Sequence, residues 1–136
     1  MEKALFCLAC DAKLTRSLVL RSGKDPSVSK PIFLDREPLT QSGEVYKSYE
    51  PITRSFDETP APLEFTPQYW LNPADLTDSV RFTKNGDRLS GCCGPAGSDG
   101  PNQVCRCGAE VGTLQDDCWT SKVFIPEPSA TEWRTL

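Results

Sequence analysis

Seven cysteines and no histidine define the chemistry open to this chain of 136 residues. Four of the cysteines stand in two turns near opposite ends. The first turn reads Cys7-Leu8-Ala9-Cys10-Asp11-Ala12-Lys13-Leu14, and the second reads Cys105-Arg106-Cys107-Gly108-Ala109-Glu110-Val111. After its last cysteine each turn runs through a small turn-forming residue, an alanine, a long charged residue and a branched apolar one. Two thiolates in one turn point at a common ion while neighbouring backbone N–H groups donate to the sulfurs. The residue after the second thiolate needs a left-handed backbone, which Gly108 adopts freely and Asp11 tolerably. Two such turns face to face make a tetrahedral four-cysteine zinc site with Zn–S bonds of about 2.3 Å. A site with four protein ligands is closed to substrate and is therefore structural. The expected ligands are Cys7, Cys10, Cys105 and Cys107, and the expected cofactor is Zn. Four thiolates leave that centre anionic, and Lys13 and Arg106 are close enough in sequence to offset it.

Cys92, Cys93 and Cys118 remain. In a strand the side chains of Cys92 and Cys93 would diverge. They are alternative metal ligands, in a local set with Cys105 and Cys107. Cys118, beside Trp119, reads as a small buried hydrophobe. Cys92 or Cys93 can be read the same way, or as a partner of Cys118 under oxidation. A thiol-based redox protein or other enzyme using Cys92 and Cys93, near Asp99 and Asp117, is a second function class. Its thiolate would need Arg88 or a helix N-terminus to lower its pKa, and the sequence offers no such arrangement. The adjacent carboxylates Asp116-Asp117 and Asp57-Glu58 read as solvated turns.

Without histidine there is no Ser-His-Asp triad, no Cys-His pair and no imidazole proton shuttle. A formal charge of −4, with 15 basic residues scattered among 19 acidic ones, weighs against a polyphosphate partner, which needs a basic stripe. A nucleic-acid-binding ribbon is thus a third reading that the charge disfavours. The apolar run Ala4–Ala9 is too short for a signal peptide, and no stretch is long enough to span a bilayer. A cytoplasmic location is expected, where thiols stay reduced and metal binding is their favoured use.

The elements that must position these residues are short. Twelve prolines exclude long helices, since each interior proline removes a hydrogen bond and clashes with the preceding turn. One small domain is expected over 1–136. Residues 1–22 form an N-terminal cysteine knuckle and strand, with a strand or short helix leading out of the turn. Residues 23–67 form a proline-rich extended arm laid across the body in short strands, with a mobile loop as the alternative for 35–62. Residues 68–125 form a C-terminal β region. Within it, Tyr69-Trp70-Leu71 and Val80-Arg81-Phe82 read as strands. Asn72-Pro73 reads as an N-cap and first helical position ahead of one turn from Ala74 to Asp78. Asn85-Gly86 reads as a hairpin turn. The glycines at 91, 94, 97 and 100 read as a loop needing positive φ. The tail after Pro126 is expected to be peripheral.

Phe6-Cys7, Cys10, Ala12 and Leu14-Thr15, together with Gly91-Cys92-Cys93-Gly94, Asp99-Gly100-Pro101-Asn102, the turn followed by Gly108-Ala109-Glu110-Val111-Gly112-Thr113, and Asp117-Cys118-Trp119, carry a resemblance. The chain resembles a group of uncharacterised small bacterial cysteine-rich, zinc-ribbon-like proteins of unknown function. It departs from that group in its second turn, where Arg106 alone separates the cysteines. The resemblance implies a bacterial origin and a shared cysteine framework and supplies no substrate. The fold class expected is therefore mostly β with extended loops and little helix, a small single domain built around a zinc-ribbon-like site of four cysteines.

The function expected is non-catalytic: a zinc-stabilised interaction or adaptor module, of the immunity type among the options, with an unidentified protein partner and no membrane. Tyr46, Tyr49 and Phe56 on the arm are the candidate partner-binding residues, because exposed aromatics anchor interfaces. Trp70 and Phe65 are expected to fill the core instead.

Overall fold

The computed structural model describes residues 2–50, 65–95, 97, 100–118 and 120–136. Nine short strands are present among them: β1 (Glu2–Cys7), β2 (Leu18–Ser22), β3 (Glu44–Ser48), β4 (Gln68–Leu71), β5 (Val80–Phe82), β6 (Gln103–Cys105), β7 (Glu110–Gln115), β8 (Val123–Pro126) and β9 (Thr131–Thr135). They make one sheet in the order β5-β6-β7-β8-β4-β3-β2-β1-β9. The only helical pieces described are two 3-10 turns, Pro73–Asp75 and Gly86–Arg88. The chain is a small, mostly β single domain, as its proline content and short apolar runs predict.

All neighbouring strands are antiparallel except β2 and β3, which run parallel with Leu20 opposite Val45. A parallel pair needs a crossover of a dozen residues or more. Residues 23–43 supply it. Pro26, Pro31 and Pro38 keep this crossover from forming the usual helix. It lies instead as extended chain against the segment before β8: Lys122 N–H donates to Glu37 O at 2.8 Å and Leu39 N–H to Lys122 O at 3.0 Å. The arm expected over 23–67 is thus laid on the body as far as residue 50, and the part of the mobile-loop alternative that falls on 51–62 lies outside the described residues.

Alternation along the central strands sends successive side chains to opposite faces. Val45, Leu71 and Phe124 join Leu5, Leu14, Leu18, Val111, Cys7 and Cys105 on one face. Their neighbours Tyr46, Trp70, Val123 and Ile125 join Leu39 on the other. The first face gathers residues from strands far apart in the sheet. β6 and β1 are six places apart, which in a flat sheet would be roughly 29 Å. Cys105 and Cys7 nevertheless share one cluster. The sheet therefore curls into a half-barrel around that face. Thr15 bridges Leu76, Arg16 N–H donates to Asp75 O, and Thr77 N–H donates to Leu14 O, so the backbone helps hold the two margins together.

Gly112 in β7 is required by this packing, because a Cβ there would strike the Phe124 ring and come within 2.7 Å of Ile125 O. Phe124 is fully buried and cannot swing away. Gly112→Ala is expected to cost about 1–3 kcal/mol by overpacking, read as a lowered denaturation midpoint with an unchanged metal content.

Asn72 does cap a turn with Pro73 at its first position, its Oδ1 accepting from Ala74 N–H at 2.9 Å. The turn is the 3-10 piece Pro73–Asp75 rather than a helical turn over Ala74–Asp78, because the buried Asp75 carboxylate is drawn to Ser42 Oγ and Gly43 N–H (2.8 Å). Asp75→Ala would strand that N–H, and a loss of about 1–3 kcal/mol is expected in chemical denaturation.

Two expectations are corrected. Asn85-Gly86 makes no hairpin: Asn85 caps the 3-10 turn Gly86–Arg88 through Asp87 N–H, and β5 finds its partner β6 only after a long loop. The tail after Pro126 is not peripheral. Its Thr, Trp and Thr alternate with charged residues, and it forms β9, paired with β1 from Lys3↔Thr135 to Cys7↔Thr131.

Candidate metal centre

β1 ends at Cys7 and β6 at Cys105, and each strand runs directly into a tight turn. In the first turn Asp11 N–H donates to Cys7 O and Cys7 N–H to Ala12 O, at 2.8 and 2.9 Å. In the second, Gly108 N–H donates to Cys105 O and Cys105 N–H to Ala109 O, both at 2.8 Å. The two turns have the same hydrogen-bonded exit although the second is one residue shorter. The residue after the second cysteine is left-handed in both, with φ of 63° at Asp11 and 97° at Gly108. Main-chain N–H groups of Ala12 and Ala109 donate to the sulfurs of Cys10 and Cys107. The internal echo read in the sequence is therefore an echo in backbone geometry as well.

The turns meet crosswise. Cys7 Sγ lies 3.7 Å from Cys107 Sγ, and Cys10 Sγ lies 3.5 Å from Cys105 Sγ. All four sulfurs fall within 4.8 Å of one another. Four sulfurs about 2.3 Å from one central ion would stand about 3.8 Å apart at the corners of a tetrahedron. A disulfide would need about 2.05 Å. The spacing fits shared coordination, and these four residues can hold a metal ion.

Each turn contributes one buried and one exposed thiol: Cys7 and Cys105 are buried, Cys10 and Cys107 exposed. Burial pushes the Cys105 thiol up to about 12. The Ala109 N–H holds Cys107 down at about 7. For Cys10, the Ala12 N–H and Cys105 pull down, while desolvation and the sulfurs of Cys107 and Cys7 push up and prevail. Cys107 is thus shifted toward the thiolate and Cys105 away from it, and an ion held by both must displace the proton of the buried Cys105. Arg134 of β9 pairs with Asp11 at 2.7 Å and stacks over Phe6, tying β9 to the first turn. Arg106 is exposed and fastens the second turn through its main chain, its N–H donating to Ser79 O at 2.9 Å.

A second group of sulfurs lies elsewhere. Cys92, Cys93 and Cys118 also fall within 4.8 Å of one another and can hold a metal ion. This corrects two expectations. Cys92 and Cys93 do not share a set with Cys105 and Cys107, because β6 carries the latter pair to the curled margin of the sheet. Cys118 is half-buried beside two other thiols rather than a core hydrophobe. Asp117 organises this loop: its carboxylate accepts from the N–H groups of Cys92, Cys93 and Cys118. The Cys93 N–H foremost, with those of Cys118 and Cys92, holds Asp117 below the usual carboxylate range. Sequence reading places Asp117 near Cys92 and Cys93 in the thiol-based alternative but otherwise takes it as a solvated turn, and gives it no role in orienting the cysteines. The one local signal was an acid directly before a cysteine, and its partners are 24 and 25 residues away. Of the four loop glycines, Gly97 and Gly100 have positive φ. Gly91 and Gly94 serve close backbone approach instead, to Gly94 O and Asp116 O respectively.

The candidate partner-binding aromatics separate. Tyr46 is buried, packed on Trp70 with ring centroids 5.4 Å apart. It is a core residue because its place in β3 points it at the second apolar face. Tyr49 is exposed, with Lys24 Nζ 4.3 Å from its ring centroid, and Phe56 lies outside the described residues. Trp70 does fill the core as expected, and Phe65 packs against the same cluster. No helix among the described residues is long and apolar enough to cross a membrane. No family model, curated protein or solved structure matches the chain.

Proposed function

We propose that the chain is a non-catalytic, zinc-stabilised interaction module, in which one zinc ion closes the curled sheet by clasping the end of β1 to the end of β6. The observation that carries this reading is the crosswise approach of four sulfurs from the two ends of the chain at tetrahedral spacing. Zinc is favoured because four thiolates in a closed tetrahedron suit a d10 ion without redox chemistry. Such a centre leaves no position for substrate, and the chain has no histidine to serve as a proton shuttle. The resemblance to small bacterial zinc-ribbon-like proteins points the same way.

Elemental analysis of protein purified without added metal tests the clasp. About one tightly held zinc per chain is expected in the native protein, and its loss with unfolding in both Cys7→Ser and Cys107→Ser, since metal binding and folding are one equilibrium in such sites. Stoichiometric tight zinc in either variant would sink the clasp.

The partner is a second protein, in an adaptor or immunity-type role. This reading is supported by three consecutive exposed apolar side chains on the crossover, Ile32, Phe33 and Leu34. Contiguous exposed apolar surface marks interaction sites more often than isolated residues do. Capture of a defined partner from a bacterial host lysate, abolished by Ile32→Asp with Leu34→Asp while zinc content is retained, is the expected result. Equal capture by both forms would move the interface elsewhere.

A further inference from the structure

The loop carrying Cys92 and Cys93 is separate from the clasp, and its cysteines have no part in closing the sheet. In an extended strand adjacent side chains point to opposite sides. Here the loop bends so that both sulfurs of the pair approach Cys118 Sγ. Asp117 holds that bend from behind. Its Oδ1 accepts from Cys93 N–H at 2.9 Å and Cys118 N–H at 2.7 Å, and its Oδ2 from Cys92 N–H at 3.2 Å. One carboxylate thereby orients all three cysteines through their own backbones. Asp117 is itself fixed by its N–H, which donates to Thr120 Oγ1 at 2.9 Å. Gly91 and Gly94 allow the loop to close on Gly94 O and Asp116 O, where any Cβ would collide. The sulfurs face outward, Cys92 and Cys93 exposed and Cys118 half-buried.

We propose that Cys92, Cys93 and Cys118 form a second, open site for a thiophilic d10 cation, Zn²⁺ or Cu⁺, bound by three sulfurs and exchangeable with solvent. Sulfur donors select these ions over magnesium, calcium and manganese. For zinc, three protein ligands leave a coordination position free, in contrast to the closed four-sulfur clasp, whereas for Cu⁺ three sulfurs suffice and exchange follows from the exposure of Cys92 and Cys93. Asp117 acts as a positioning residue, setting the ligands as outer partners do in metal sites generally.

The surroundings favour a cation over thiol catalysis. A reactive thiolate is made by positive neighbours. The charge beside these sulfurs is the Asp117 carboxylate, and no lysine or arginine pairs with it among the described residues. A disulfide would engage two of the sulfurs and leave the convergence of the third without a purpose.

The test uses the full chain, reduced, anaerobic and already holding its first metal equivalent. It is titrated with Zn²⁺ and, separately, with Cu⁺ against a chromophoric chelator. A second equivalent of at least one metal is expected to bind more weakly than the first, and the metal that binds identifies the ion. Iodoacetamide labelling of Cys92, Cys93 and Cys118, followed by peptide mass spectrometry, is expected to fall as that equivalent is added. Cys118→Ser should lose the second equivalent and keep the first. Should Cys118→Ser fail to fold, Cys92→Ser, on the exposed part of the loop, decides in the same way. Asp117→Asn should weaken the second site about 10–100-fold without touching the first. Uptake of a single equivalent of either metal, or a second equivalent that survives in both cysteine variants, overturns the site. So does an intramolecular Cys118 disulfide that forms on mild oxidation at a rate neither metal changes, since the thiols would then belong to redox chemistry.

Discussion

Cys105→Ser is expected to strip the clasp of its ion and leave a chain without cooperative structure. Cys105, like Cys7, is held by several supports at once. It ends β6, is 1% exposed, packs in the main core cluster, and stands 3.5 Å from Cys10 Sγ. Serine offers a hydroxyl where a soft thiolate is needed and places that hydroxyl in an apolar setting. Structural Cys-rich zinc sites contribute about 10–16 kcal/mol of apparent binding free energy at neutral pH, against a typical net domain stability of about 5–15 kcal/mol. Losing the ion can therefore exceed the whole margin. β6 and β1 are not hydrogen-bonded neighbours; among the described residues their margins are joined by the shared apolar cluster and by the backbone links of Thr15, Arg16 and Thr77 around Leu76, so loss of a bound ion is expected to loosen the curl of the sheet. The check is metal content beside near-ultraviolet circular dichroism. A high-affinity chelator added to the native chain should reproduce the variant's spectrum, and re-adding zinc should restore the native one. A Cys105→Ser chain with native spectrum and one tightly bound zinc would refute the architecture proposed for the clasp.

Trp70→Ala is expected to destabilise the chain by about 3–5 kcal/mol while leaving the metal stoichiometry unchanged. Trp70 sits on the opposite sheet face from the clasp, 1% exposed. Its ring packs on Tyr46 and meets Phe33 edge-on at 5.5 Å, and its Nε1–H donates to Gln68 Oε1 at 3.0 Å. Removing it empties the space between β3, β4 and the crossover, on the sheet face opposite Cys7 and Cys105. The pair of results would separate two supports of one fold, the four-sulfur cluster on one face and the aromatic core on the other. Denaturant midpoints measured with saturating zinc test this. A loss of zinc in Trp70→Ala matching that of Cys105→Ser would mean that the two faces form a single unit.

What was legible in the sequence is what depends on neighbours a few residues apart. The cysteine turns were legible because Gly108 and Asp11 are the types that accept a left-handed backbone and because both turns exit through an alanine. That echo made the grouping of Cys7 and Cys10 with Cys105 and Cys107 the favoured of the sets the sequence left open, and the structure brings these four sulfurs together. The strands at Tyr69–Leu71 and Val80–Phe82 followed from a short apolar run and from apolar alternation respectively, and the lack of long helices among the described residues followed from proline.

Tertiary structure decided what depends on pairs far apart in the chain. The tail became β9 because β1 had a free edge, which no local pattern reveals. Asn85-Gly86 failed to make a hairpin because β5 pairs with β6 across a long loop, and strand pairing outweighs turn propensity. Tyr46 went inside because a one-residue step along β3 turns a side chain from one face to the other. Cys118 joined Cys92 and Cys93 because a buried-side carboxylate gathers three backbone N–H groups from two segments. Local propensity is written in successive residues. Register, the curl of the sheet and the meeting of distant loops are set by packing and hydrogen bonding between segments, and those energies appear only once the chain is folded.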